Sequence, residues 1–227
     1  MDLGGATWPQ VEATGGRTVL AVPLGSLEQH GPHLPLDTDT RIAVAVAAGL
    51  SARRAGVAVA PAVAYGASGE HAGFPGTLLI GHEALAGLLV ELVRSARGSF
   101  AGVVLLSAHG GNEEALSLLQ ARCAAEGDDV LVWRAATPGG DAHAGRTETS
   151  LMLAIDAAAV RLELAEAGCT EPLGTLLPRL RAEGVRPVSS NGVLGDPAGA
   201  SADEGRALLD ALVTDLASAV ALRWSGG

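Results

Sequence analysis

Apolar and polar positions fall into short blocks that alternate between two periods. The runs at 18–24, 56–64, 101–107 and 129–134 are almost continuously apolar and rich in valine and leucine, the pattern of strands buried on both faces of a parallel sheet. Between them, 40–54, 82–97 and 113–126 have helical character. The second carries Leu85, Leu88, Leu89, Leu92 and Val93 at helical spacing. Thr38 or Asp39 is placed to cap the first. Further helices are expected at 148–155, 176–182 and 201–223, the last with Asp203 and Glu204 in its first turn, where the helix dipole favours acids. Strands alternating with helices predict one α/β domain over 1–227, with a mostly parallel sheet covered on both faces.

The polar blocks between these elements are the informative ones. Residues 28–39, Glu-Gln-His-Gly-Pro-His-Leu-Pro-Leu-Asp-Thr-Asp, follow the first strand directly. Gly31, Pro32 and Pro35 forbid regular structure there, so polar side chains are displayed on a shaped loop. Residues 65–77 form a second long irregular segment, of a length that is uncommon unless functional. Residues 137–147 form a third, and 187–197 reads as turns and short extended pieces.

Composition narrows the partners. A net charge of −10 without a basic stripe argues against nucleic acid. All 15 basic residues are arginine, which excludes lysine chemistry such as a Schiff base or a P-loop. No apolar run approaches the roughly 18 residues needed to cross a bilayer. The amino end lacks the basic and apolar regions of a signal peptide, so a cytoplasmic location is expected. Cys123 and Cys169 have no CxxC partner and read as packing residues.

Three polar segments, each after a predicted strand, hold the candidate chemistry: Glu28, His30 and Asp39; His109; and His143 with Glu148. Segments that follow parallel strands meet at one edge of the sheet. Imidazoles and carboxylates without thiolate suit zinc, iron(II), manganese or a similar divalent ion. The number of candidates favours two ions bridged by a carboxylate and a water. Each residue also has an ordinary explanation: Glu28 as an arginine partner, Asp39 as a helix cap, His109 as a structural imidazole. His33 and His82 have weaker claims. Glu70 and His71 are candidates for touching substrate, against the alternative of solvated loop polarity. Gly110 and Gly111 lack the companions of a phosphate-binding motif and fit a tight turn instead.

The segments Glu28 to Asp39, His109-Gly-Gly-Asn112, His143-Ala-Gly-Arg-Thr-Glu-Thr-Ser150 and Gly69-Glu-His-Ala-Gly-Phe-Pro-Gly-Thr77 resemble the signatures of the creatininase family of metal-dependent amidohydrolases. Within it, the segments at 36–43, 65–71, 140–145 and 192–197 are most similar to the branch of peptidases in mycofactocin biosynthesis. The resemblance implies a three-layer α/β/α fold, a homo-oligomer and two divalent ions (Zn2+, Fe2+ or Mn2+). It implies Glu28, Asp39 and His109 around one ion, and His30, the bridging Asp39 and a further carboxylate around the other. The creatinine enzymes carry that carboxylate where this chain has Gly111, and Glu148 is our replacement. His143 is the implied proton relay to the leaving nitrogen, and Arg41 or Arg146 could meet a substrate carboxylate. The creatinine enzymes also carry a tryptophan just before the His143 position, which is absent from 137–141 here. Creatinine is therefore disfavoured, and the resemblance implies a modified precursor peptide cut near its carboxyl end as the substrate. A formamide or creatinine-type small amide is the alternative, and a non-catalytic metal-stabilised binding protein is a third reading.

Overall fold

In the computed structural model, which describes residues 1–224, four parallel strands form one sheet: β1 (Val19–Leu24), β2 (Val57–Val59), β3 (Gly102–Ser107) and β4 (Val130–Arg134), in the order β2-β1-β3-β4. Seven helices accompany them: α1 (Trp8–Glu12), α2 (Thr38–Arg53), α3 (His82–Ala96), α4 (Glu113–Glu126), α5 (Arg146–Asp156), α6 (Leu173–Glu183) and α7 (Ala202–Arg223).

The strands bury both faces because alternate side chains leave the pleat in opposite directions. Val19 and Ala21 of β1, with Val104 and Leu106 of β3, pack against Ile42 and Val46 of α2, Met152 of α5 and Leu216 of α7. Leu20, Val22 and Leu24, with Val103 and Leu105, pack against Leu85 and Leu89 of α3 and Leu116 and Leu119 of α4. Helices thus cover both faces, giving the three layers expected. Truncating a fully buried leucine of this kind, such as Leu105, costs about 2–5 kcal/mol.

Several boundaries differ from the sequence expectation. β2 stops at Val59 because Pro61 cannot donate to the ladder, and contact resumes only at the single bridge Leu24↔Val63. Helix α1, closed by a reciprocal Thr7–Gln10 capping box, has too few apolar positions to show a period. Helix α6 starts earlier than 176 and carries Pro178 inside it. Neither Thr38 nor Asp39 caps α2. The cap position is Asp37, without a side-chain cap bond, and both expected caps lie inside the first turn. Among the described residues no helix is long and apolar enough to cross a membrane. Cys123 and Cys169 are both free.

The register aligns Leu24 of β1 with Ser107 of β3, and Ser107 with Arg134 of β4. The segments that leave these three strands emerge side by side. From β1 the sheet continues to β2 on one side and β3 on the other, so the chain winds away in two directions at β1/β3. Such a switch point opens a crevice at the carboxyl ends of the strands.

Candidate metal centre

The crevice is filled by the loop after β1. Gly31, at φ +65°, turns the chain back on itself, in a conformation that costs glycine nothing. The turn places Glu28 and His30 inward, both fully buried. Asp39, freed from capping, points from the first turn of α2 between two imidazoles. Its Oδ1 lies 3.0 Å from His30 Nε2 and its Oδ2 lies 3.1 Å from His109 Nδ1. Ser26 Oγ donates to Oδ2 at 2.7 Å. Glu28 Oε2 lies 3.2 Å from His109 Nε2, and Oε1 lies 3.3 Å from His71 Nε2 and 3.8 Å from His143 Nδ1.

The protonation pattern follows from this geometry. Burial opposes charge on His30 and His109. The Asp39 and Glu28 carboxylates outweigh it, lifting His30 to about 10 and His109 to about 9. Burial resists ionisation of Asp39 too, but the His30 and His109 charges hold it well below the usual carboxylate range. Glu28 is pushed up to about 7, chiefly by burial, as is Glu148. Burial, reinforced by the neighbouring imidazoles, lowers His71 to about 3 and holds His143 well below the usual imidazole range.

Whether the residues fit metal ions is decided at Glu28. Both carboxylate oxygens are buried and neither has a hydrogen-bond partner among the described residues. A buried carboxylate left this way is costly unless a cation compensates it. Three groups of donor atoms lie within 4.8 Å of one another: Glu28, Asp39 and His109; His30, His143 and Glu148; and Glu28, His71 and His143. The donor set of oxygen and imidazole nitrogen suits a divalent ion. The residues fit.

The structure brings together all five residues expected as ligands, with two differences of arrangement. His143 rather than Asp39 groups with His30 and Glu148, although Asp39 still touches both His30 and His109. Glu148 lies in the first turn of α5, a helix that starts at Arg146, two residues before the expected start. There it also accepts a bond from the Ala144 amide at 2.5 Å.

His71 is not a solvated loop residue. It is buried against Glu28 and stacks near His143, with ring centroids 4.5 Å apart. Glu70 is partly exposed, with Oε1 3.8 Å from His109 Nε2. A side chain at Gly111 would overlap Glu70 Oε1, His109 Nε2 and the Ala67 carbonyl as they stand.

His33 and His82 stay outside the cluster. His33 Nε2 meets Thr149 Oγ1 at 2.9 Å, and His82 is partly exposed near Glu114. Neither arginine proposed for a substrate carboxylate is free. Arg41 bridges Asp37 and Asp156, and Arg146 is paired with Glu204. Asp141 accepts bonds from the Arg146 and Thr147 amides and the Thr147 hydroxyl, so it ties down the start of α5.

Sequence reasoning passed over Gln29, Ser26 and Asn112. Asn112 bonds the Gly25 carbonyl and the Ala67 amide, lashing the loops after β1 and β3 to the 65–77 segment. Gln29 touches two imidazoles. Its place between two candidate ligands was the available signal. A cavity of about 190 Å3 reaches the cluster past Thr137, Asp141 and Ala142, and Asp39, His109, His143 and Glu148 form its inner wall.

The parallel α/β/α sandwich carries at its switch point a buried histidine–carboxylate cluster, a donor set suited to a divalent ion. The match is to the creatininase family, described as creatinine amidohydrolase, over residues 5–220, and the chain belongs to that family, whose hydrolases act on amide bonds. It is 50% identical to the mycofactocin precursor peptide peptidase of Mycobacterium tuberculosis, over 98% of this chain and 91% of the relative. The Mycolicibacterium smegmatis protein of the same name is also 50% identical, over 91% and 85%. A crystal structure of creatinine amidohydrolase superposes with a TM-score of 0.80 at 27% identity, covering 99% of this chain and 98% of the other. Creatininase structures of the same likeness include a Zn-Zn form and a Mn form, so a divalent metal is supported for the family centre.

Proposed function

We propose that the chain is a peptidase with two divalent ions per subunit that cleaves the modified mycofactocin precursor peptide near its carboxyl end. The observation that carries the reading is Glu28: a fully buried carboxylate with both oxygens unpartnered, amid the imidazoles of His71, His109 and His143. In this reading Glu28, Asp39 and His109 would hold one ion, and His30, Asp39 and Glu148 would hold the other. Bound there, the ions supply Lewis-acid activation of water and of an amide carbonyl.

The chain's own residues do the rest. His30 Nδ1 donates to the Glu28 carbonyl at 3.1 Å, which turns Nε2 toward Asp39 and the centre. His143 Nε2 donates to the Gln29 carbonyl at 2.8 Å, so its Nδ1 lone pair faces the centre. Burial keeps this imidazole neutral, the form suited to take a proton at Nδ1 from the attacking water and pass it to the leaving nitrogen. The buried surroundings exclude bulk water from that transfer.

The peptide substrate rests on the named relatives and on the cavity. Its wall is built of Gly110, Ala135, Thr137 and Ala142 with their neighbours, and no Phe, Tyr or Trp among the described residues lines it. We extend the reading to a homo-oligomer, supported by the exposed Leu78 and Leu79 beside the site loop.

The test is mass spectrometry of the metal-loaded protein with the modified precursor peptide, beside creatinine and a formamide substrate. Release of a carboxyl-terminal fragment, lost on chelation and restored by metal, is expected. Turnover of a small amide alone would move the chain to the other branch of its family.

A further inference from the structure

We propose that Gln29 is a positioning residue that fixes the tautomer of His71, making His71 a hydrogen-bond donor to the metal centre and not one of its ligands. The inference rests on the proposed function only for the existence of the centre.

The argument begins with the Gln29 amide, whose two ends cannot be exchanged. Its Oε1 lies 2.9 Å from the Gly31 amide nitrogen, which can only donate. Its Nε2 lies 3.0 Å from the Gly192 carbonyl oxygen, which can only accept. Swapping oxygen and nitrogen would set donor against donor at Gly31 and acceptor against acceptor at Gly192. Two main-chain groups of fixed polarity therefore settle an assignment that is otherwise made by inference.

With the amide fixed, its other contacts follow. Nε2 has two hydrogens. One goes to Gly192 and the other to His71 Nδ1 at 2.9 Å. His71 Nδ1 must then accept, so the ring proton sits on Nε2. His143 Nε2 already donates to the Gln29 carbonyl. Its 3.1 Å approach to the Gln29 amide nitrogen is a contact between two hydrogen-bearing nitrogens. One glutamine thus sorts the two imidazoles. His143 shows the centre a lone pair on Nδ1, and His71 shows it an N–H.

His71 Nε2 is the atom that faces the centre, 3.3 Å from Glu28 Oε1. A neutral imidazole cannot ligate through the nitrogen that carries its proton, so the group Glu28, His71 and His143 does not add His71 as a ligand. The N–H and Oε1 stand close without forming an aligned hydrogen bond. This leaves the proton available to Glu28 or to an oxygen brought to the centre. The supporting backbone is built for the arrangement. Gly192 sits at φ +83°, and any side chain there would overlap the Gln29 amide. The neighbouring Leu194 pairs with His143 through an isolated antiparallel bridge.

The test is ring-nitrogen NMR of the full chain loaded with Zn2+, with the His71 signals assigned by their loss in His71→Ala, together with metal content. The expected result is an Nε2-protonated His71 with no metal-induced shift. His71→Ala should keep the parent's zinc content and lose about 10–100-fold in kcat, the usual scale for a group that supports a metal centre. Gln29→Glu places an acceptor opposite Nδ1 and should switch His71 to the Nδ1–H form. Gln29→Met, which removes both polar atoms at similar length, should leave a mixture of tautomers and covers the case in which the glutamate variant does not fold. An Nδ1-protonated or zinc-shifted His71 in the parent, or loss of zinc on His71→Ala, would overturn the proposal. Loss of zinc from the parent itself would strike the metal-centre reading, and the NMR tautomer still decides the Gln29–His71 lock.

Discussion

Two ends of the same sheet handle ionisable residues in opposite ways. At the amino ends of β3 and β4, Arg94 and Arg97 are laced to Glu91, Glu126 and Asp128 by ion pairs. Every charge there meets an opposite charge, and the arginines are exposed to water. At the carboxyl ends, Glu28, His30, Asp39 and His109 are buried together, and neither Glu28 oxygen has a hydrogen-bond partner among the described residues. The first cluster is self-satisfied and screened, so it contributes little to stability and has nothing left to bind. The second is incomplete by its own residues. Unmet demand in a buried place, and not charge density, marks the functional end.

The comparison can be broken most directly at Asp39. Asp39→Ala removes the one carboxylate that touches both His30 and His109, and hydrolysis should fall by more than about a hundredfold, beyond the loss typical of residues that merely support a metal ligand. Steady-state assay with metal content measured in parallel checks it. Arg97→Ala at the other end should leave kcat/KM unchanged.

Metal removal gives the next effect. His30 and His109 lie at about 10 and 9 within the protein's own field, so both carry extra protons at pH 7, and Glu28 and Glu148 are half protonated near 7. An ion must displace those protons, so metal affinity should rise with pH through 7 to 9. Calorimetry in two buffers of different ionisation heat should show proton release on Zn2+ uptake at pH 7. Equal heats in the two buffers would refute the assignment.

Folding of the metal-stripped chain offers a smaller effect with a definite sign. Glu28 has a folded pKa of about 7, above its ordinary 4.5. The unfolded chain therefore ionises this group first, and stability falls as pH rises from 4.5 through 7. Glu28→Gln should flatten that part of the stability–pH curve in the stripped protein, while weakening metal binding in the loaded one. Chemical denaturation at pH 5 and pH 8 measures it. The smallest effect belongs to the exposed cluster, where Arg97→Ala should move Tm by no more than about 2 °C.

The contrast also explains what could be read from sequence. The continuous apolar runs of β1 and β3 and the 3.6-residue period of α3 are strong local signals, and the layered fold follows from their alternation. The residues at Glu28, His30, Asp39, His109 and Glu148 were legible because chemistry-bearing types recur directly after strands and match family segments. What stayed hidden depends on three-dimensional contact. That Asp39 stands between His30 and His109 and caps nothing shows only once the turn of the loop brings the two imidazoles to it. His71 reads as loop polarity until the 65–77 segment folds over Glu28. Arg41 and Arg146 look available until Asp37, Asp156 and Glu204 are seen to occupy them. Gln29 carries no titratable group, so only its place between Glu28 and His30 pointed to it, and its contacts include a backbone carbonyl at Gly192, far away in the chain.

The most direct test of the centre is anomalous diffraction at the zinc edge from crystals of the Zn2+-loaded protein. The account predicts two peaks in the crevice, one among Glu28, Asp39 and His109 and one beside His30 and Glu148, with Asp39 between them. Zinc found only at surface carboxylates, or a crevice without a peak at full loading, would contradict it.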